Sequence, residues 1–141
     1  MNRITPAEYA AAVVHCVNLA EHGTGGGRVA AQVLLSAYNG DCFQLNITDL
    51  CNLDSSNYPH ALAVIRGRYE VGREPQEMIQ NGNDIFRSLW KQWARLELTE
   101  RAKRSCPDCD GGKIYKNEDD EIGVVCSRCE GTGRICGCGK S

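Results

Sequence analysis

Six of the nine cysteines fall in the last 36 residues. Four of them form two matched turns, Cys106-Pro107-Asp108-Cys109 and Cys126-Ser127-Arg128-Cys129, with sixteen residues between the turns. A Cys-x-x-Cys turn brings two sulfurs within reach of one ion. Two such turns complete the tetrahedral thiolate shell that zinc(II) accepts. Glycines follow each pair, in Asp110-Gly111-Gly112 and Glu130-Gly131-Thr132-Gly133, and small residues there let backbone N–H groups approach the sulfurs. The spacing predicts one structural zinc held by Cys106, Cys109, Cys126 and Cys129. A redox dithiol needs one Cys-x-x-Cys beside a strand–helix pattern, not two matched turns. An iron–sulfur cluster suits the regular paired spacing less well. Four thiolates leave no open position for water, which argues against catalytic zinc. Cys136 and Cys138 are spare thiols whose Cys-x-Cys spacing fits the pattern less well. The terminal Gly139-Lys140-Ser141 is not a phosphate loop, because Arg134 stands where the earlier glycine is needed.

The segment between the turns has the composition of a hairpin. Lys113-Ile114-Tyr115 and Ile122-Gly123-Val124-Val125 read as strands joined by the polar turn Asn117-Glu118-Asp119-Asp120. A module below ~40 residues rarely folds unaided, so metal is expected to supply most of its stability. The fold expected for the whole is mainly α. A small helical domain over 1–104 precedes a zinc-bound β-hairpin module over 105–141.

Within 1–104, Thr5 and Pro6 open a helix running to about His22, with Ala10, Val13, Val14 and Val17 as its apolar stripe and Gly23 as its left-handed stop. Gly23-Thr24-Gly25-Gly26-Gly27-Arg28 reads as a helix–helix connection or, with less support, an anion-binding helix start. A second helix over Arg28–Tyr38 is apolar nearly all round and should lie centrally. A short extended piece at Phe43, Leu45 and Ile47 leads to a helical turn ending near Asp54. A further helix opens at Ser55-Ser56-Asn57, with Leu62, Ile65 and Tyr69 on one face, and a short one spans Pro75–Gln80. The longest helix is expected from Asn83 or Asp84 to about Arg104. Its apolar face is Phe86, Leu89, Trp90, Trp93 and Leu96. Arg87, Lys91 and Arg95 form a basic stripe on it, either a solvated face or a nucleic-acid or partner contact. Cys16, Cys42 and Cys51 read as small buried side chains.

The net charge is −2, from 16 basic and 18 acidic residues. That argues against a general nucleic-acid coat, which is normally basic. Residues 1–104 are balanced at eleven each, and 105–141 carry five basic against seven acidic. No stretch reaches the ~18 apolar residues of a membrane span. No signal-peptide pattern opens the sequence, so a cytoplasmic protein is expected, and its nine cysteines read in that setting as thiols or metal ligands rather than disulfides. His15, His22 and His60 stand apart from any nucleophile motif, and no enzyme activity is expected.

Cys126-Ser127-Arg128-Cys129-Glu130-Gly131-Thr132-Gly133 resembles the Cys-x-x-Cys-x-Gly-x-Gly repeat of the DnaJ-type zinc module. The first turn departs from it at Lys113. Only two repeats are present, which implies one zinc, and no J-domain accompanies them. Paired repeats of this kind are similar to those of a phage late-gene antiterminator family and of a small inhibitor of an RNA-binding attenuation protein. Arg28-Val29-Ala30, Leu34-Leu35-Ser36-Ala37-Tyr38-Asn39-Gly40, Leu45-Asn46-Ile47-Thr48-Asp49-Leu50 and Gly82-Asn83-Asp84-Ile85-Phe86 resemble a bacterial domain of unknown function found on plasmids, phages and prophages, over about residues 23–90. The resemblance implies an accessory protein of a mobile element in a bacterial host. The expected function is binding and modulation, most simply inhibition, of a host or phage protein. The alternative is a nucleic-acid-binding transcription regulator of the antiterminator type.

Overall fold

The computed structural model describes residues 2–101, 103–105 and 107–136, and for 103–105 and 136 the backbone alone. The chain divides into two compact units, residues 1–98 and 99–141.

The first unit is helical. α1 spans Pro6–Ala20 and begins in a capping box. Thr5 Oγ1 accepts the Glu8 N–H at 3.1 Å, and the Glu8 carboxylate accepts the Thr5 N–H at 3.2 Å. Its buried face is Tyr9, Ala12, Val13, Cys16, Val17 and Ala20, while Val14 is exposed. α2 spans Gly25–Tyr38 and starts one turn earlier than its apolar pattern suggests, with Thr24 Oγ1 accepting the Gly27 N–H. Gly23 does not take the left-handed conformation expected of it. The glycines matter for closeness instead: a Cβ on Gly27 would fall 2.1 Å from the His22 carbonyl oxygen and 2.8 Å from that of Leu19. The run Gly25-Gly26-Gly27 is thus a tight helix–helix junction, and Thr24 already occupies the Gly27 N–H that an anion would use.

Val29–Leu35 of α2 are buried almost continuously, so this helix is central. The row includes Gln32, only 1% exposed. Its amide donates to Asp49 Oδ2 at 2.7 Å and accepts the Asn46 N–H at 3.2 Å. Asp49 also receives Arg28 at 3.4 Å. This satisfied polar cluster pins the 3₁₀ turn Ile47–Asn52 to α2. The extended piece expected at Phe43–Ile47 does not form a strand. Phe43 is buried instead, edge-on to Trp90 at 4.9 Å, and Ile47 points to solvent. Cys51 is exposed rather than buried.

α3 spans Tyr58–Glu70, and its orientation corrects the sequence reading. Ala61, Val64 and Gly67 face the core, and Leu62, Ile65 and Tyr69 face out. Tyr9 explains the choice. Its ring is fully buried and lies where a Cβ on Gly67 would be, 2.2 Å from that position, and its hydroxyl donates to the Arg73 carbonyl at 2.9 Å. Burial pushes the Tyr9 phenol up to about 12.

A 3₁₀ turn at Pro75–Met78 leads through left-handed Asn81 into α4, Gly82–Gln92. The long helix expected to reach Arg104 is interrupted. A 3₁₀ turn spans Ala94–Leu96, and a one-turn α5 spans Leu98–Arg101. The break goes with burying Trp93 completely and Trp90 in part. Trp93 leaves helical geometry at φ −115°, ψ 25°, and its indole N–H reaches the Ala20 carbonyl at 2.8 Å. Trp90 hydrogen-bonds the Glu97 carboxylate, and the Leu98 N–H donates to the Cys42 carbonyl at 2.9 Å. Among the described residues no helix is long and apolar enough to cross a membrane.

The second unit has two antiparallel pairs. β1 (Lys103–Ser105) pairs with β4 (Arg134–Cys136), Arg104 opposite Ile135. β2 (Lys113–Ile114) pairs with β3 (Val124–Val125), Lys113 opposite Val125. The hairpin strands are shorter than the sequence suggested.

Two outcomes follow from α3. Gly67→Ala should lower the unfolding free energy in urea by about 2–3 kcal/mol, the cost of overpacking. Gly26→Ala, whose Cβ would meet nothing closer than Leu19 Cδ1 at 3.8 Å, should be neutral or slightly stabilising. Glu70 accepts from Arg66 at 2.7 Å and from the Ile4 N–H at 3.0 Å. The Arg66 guanidinium and the Ile4 N–H hold its carboxyl below the usual glutamate range. The folded state therefore binds this proton less readily than the unfolded one. The stabilisation is present above the ordinary carboxylate pKa and is lost as pH falls through the depressed folded value. Urea midpoints measured across the acid range should fall, and Glu70→Gln should flatten that fall.

Candidate metal centre

Cys109, Cys126 and Cys129 place their sulfurs all within 4.8 Å of one another, and Cys109 Sγ lies 3.6 Å from Cys129 Sγ. A tetrahedral shell with metal–sulfur bonds of about 2.3 Å separates its sulfurs by roughly 3.8 Å, far beyond the ~2.05 Å of a disulfide. The donor set and its spacing fit a metal ion. Cys106, the fourth ligand expected, lies outside the described residues, as do Cys138 and the side chain of Cys136.

The turns are locked to each other by backbone. The Cys126 N–H donates to the Gly112 carbonyl at 2.9 Å, and the Gly131 N–H to the Cys126 carbonyl at 3.2 Å. Gly112 has φ +101°, and a Cβ there would fall 2.2 Å from the Gly131 carbonyl oxygen. No other residue type permits both that conformation and that approach. Asp108 of the first turn pairs with Arg128 of the second at 3.2 Å. Burial alone pushes the Cys129 thiol up. The Gly133 N–H, at 3.3 Å from Sγ, the Cys109 thiol, the Gly131 N–H and the Cys126 thiol together outweigh it and hold the group down at about 6. The direction favours loss of a proton from the cysteine cluster, and the thiolate is the form that ligates.

Beyond the cysteines the hairpin is organised by Asp120. Its carboxylate accepts from Gly123 at 3.1 Å, Lys116 at 3.2 Å and Ile122 at 3.4 Å, and these N–H groups, Gly123 foremost, lower its pKa. The acidic run Glu118–Glu121 thus forms a shaped tip. The arms were expected to be strands, and their large apolar residues Ile114, Tyr115, Ile122, Val124 and Val125 are all exposed. The only sequence signal for this was the absence of apolar partners elsewhere in the tail.

The basic stripe does not survive as one helix face. Arg87 and Lys91 are exposed on α4, and Arg87 pairs weakly with Asp84 at 3.8 Å. Arg95 lies past the break and stacks over the Trp93 ring at 4.4 Å. Two histidines that stand 45 positions apart do meet. The rings of His15 and His60 stack at 3.7 Å, and His15 Nε2 is 2.8 Å from Asn57 Oδ1. Burial, then the neighbouring His15, lowers the His60 pKa.

Gly112→Ala should weaken metal uptake at least tenfold in competition with a chelator, on the scale of outer-shell changes, with the helical circular-dichroism signal of residues 1–98 retained. Gly111→Ala, where the φ is +62° but nothing lies within 4 Å, should weaken it less.

No curated protein and no solved structure matches the chain. A model described as a family of unknown function (DUF7673) matches residues 10–94. The match takes in α2, α3, α4 and the Gln32–Asp49 cluster and stops before the cysteine turns, which lie outside it. With more than half its length covered, from the middle of α1 to the break after α4, the chain belongs to the DUF7673 family.

Proposed function

We propose that the chain is a binding protein rather than an enzyme, in which one structural zinc staples an acidic and apolar hairpin that engages a host or phage protein and modulates it, most simply by inhibition. Cys109, Cys126 and Cys129 would hold the ion, with Cys106 as the fourth ligand. When bound, zinc supplies a cross-link between the two turns and no open coordination position. The paired turns are similar to the DnaJ-type repeat in this limited sense. A mobile-element origin and a bacterial cytoplasmic setting rest on the resemblances and on the reduced thiols.

One observation carries the reading. The hairpin exposes five large apolar side chains, Ile122 at 79% among them, beside an acidic tip. Contiguous exposed apolar side chains mark protein-binding surfaces, and a negative tip disfavours a phosphate backbone. The rival reading, a transcription regulator of antiterminator type that binds nucleic acid, draws on Arg87, Lys91 and Arg95. Arg95 lies past the end of α4 and stacks on Trp93, so the three do not form one basic face, which leaves it the weaker.

Elemental analysis of the purified full chain should find about one zinc per chain, lost on replacing Cys126 or Cys129 by Ser. Iron, or no metal in unchelated protein, would defeat the zinc assignment. For the binding role, affinity capture from the host followed by titration of the recovered partner should show at least tenfold weaker binding for the double variant Ile122→Ser, Val125→Ser at unchanged zinc content. Salt-sensitive binding of plain DNA or RNA with no stable protein partner would overturn it.

A further inference from the structure

We propose that the outward face of α3, with the groove beside it, is an interface between two copies of this chain. The proposal concerns residues 1–98 and stands apart from the hairpin reading. Tyr58, Leu62, Ile65 and Tyr69 share one face of α3 at the helical period, and all four are exposed, Tyr69 at 90%. A groove of about 380 Å³ adjoins them, lined by Val33, Ala37, Leu45, Ile47, Leu50 and Ile65, with Arg68 at its rim. Ile47, itself 75% exposed, and Ile65 both line it.

Three features select a second copy as the occupant. The first is shape. A two-fold interface brings one patch against itself, so a projecting group and its receptor must lie on the same face. Tyr69 projects and the groove recedes on one face, so the Tyr69 of each copy can enter the groove of the other. The second is area. An aromatic side chain presents ~200 Å² and a branched aliphatic less, so the exposed parts of Tyr58, Leu62, Ile65, Tyr69 and Ile47 come to roughly 500 Å² per copy, or ~1,000 Å² for the pair, the least that a weak, reversible interface needs. The third is charge. The Arg66 guanidinium is held by Glu70 at 2.7 Å, Arg28 by Asp49 at 3.4 Å, and Arg68 Nε by the Ala37 carbonyl at 3.1 Å. The four stripe side chains carry no charge, and the Arg66 and Arg28 charges are met within the chain, so the centre of a two-fold contact is neutral; the Arg68 charge, which a carbonyl oxygen does not cancel, lies beside it.

Sedimentation equilibrium of the full chain tests this. A reversible monomer–dimer equilibrium is expected, with a dissociation constant on the order of 10–100 µM for so small an interface. Tyr69→Ser and Ile47→Ser, both at exposed positions, should each weaken the dimer at least tenfold and leave the urea midpoint of dilute protein unchanged. Ile122→Ser on the hairpin should leave dimerisation intact. A wild-type chain that stays monomeric to about 500 µM overturns the proposal. So does a dimer indifferent to Tyr69→Ser, or one that is lost with Ile122→Ser instead, or a face that binds only a different apolar peptide while the chain remains monomeric.

Discussion

The helical unit turns on one close contact, the Tyr9 ring against the bare backbone of Gly67. The ring has to lie somewhere, because α1 buries it completely and ties its hydroxyl to the Arg73 carbonyl. Only a glycine leaves the space, since a Cβ at 67 would stand 2.2 Å from the ring. That requirement fixes the rotation of α3 about its axis. Once Gly67 faces inward, Ala61 and Val64 must follow at the helical period. Leu62, Ile65 and Tyr69 are then carried outward. An exposed apolar face is thus the geometric result of packing a large ring on α1 against small residues on α3.

The cysteine unit depends on a different constraint. Its described buried hydrophobic residues are Cys126 and Cys129, with Cys109 and Ile135 packed beside them. Among the described residues no aliphatic core holds the turns together. The glycines at 112, 131 and 133 do so through backbone proximity, which brings amide N–H groups onto the sulfurs and the two chain reversals against each other. The lowered Cys129 pKa is the electrostatic trace of the same arrangement. Because stability is concentrated at the sulfurs, the hairpin arms need no burial. Ile122, Val124 and Val125 can remain on the surface.

What could be read from sequence was whatever rested on local chemistry. Thr5, Pro6 and Glu8 announce the start of α1 through hydrogen bonds three residues long. The apolar run from Val29 to Leu35 announces a central helix. Two Cys-x-x-Cys turns with trailing glycines announce a metal site, and the structure brings three of the four sulfurs together. What could not be read depended on distant partners. On α3 two stripes compete at the same period, the large one at 62, 65 and 69 and the small one at 61, 64 and 67. Hydrophobicity alone chooses the large stripe, whereas the ring of a residue nearly sixty positions away chooses the small one. The pattern from Asn83 to Arg104 likewise contains no glycine or proline to end a helix before its close. It is broken by the Ala20 carbonyl, which claims the Trp93 indole, and by the Cys42 carbonyl, which claims the Leu98 N–H.

Both units therefore leave large apolar side chains in water, for reasons that differ. In the helical unit the core is complete without them, built from Tyr9, Phe43, Phe86, Trp93 and the α2 row. In the cysteine unit the described residues form no such core for them to join. In each case the exposed residues make little contribution to folding, so selection on stability does not account for their size. Small polar residues at Tyr69 or Ile122 would serve the fold as well and would lower the aggregation hazard that an exposed apolar surface brings. Substitutions there therefore separate association from folding, which substitutions at Gly67 or Gly112 cannot do.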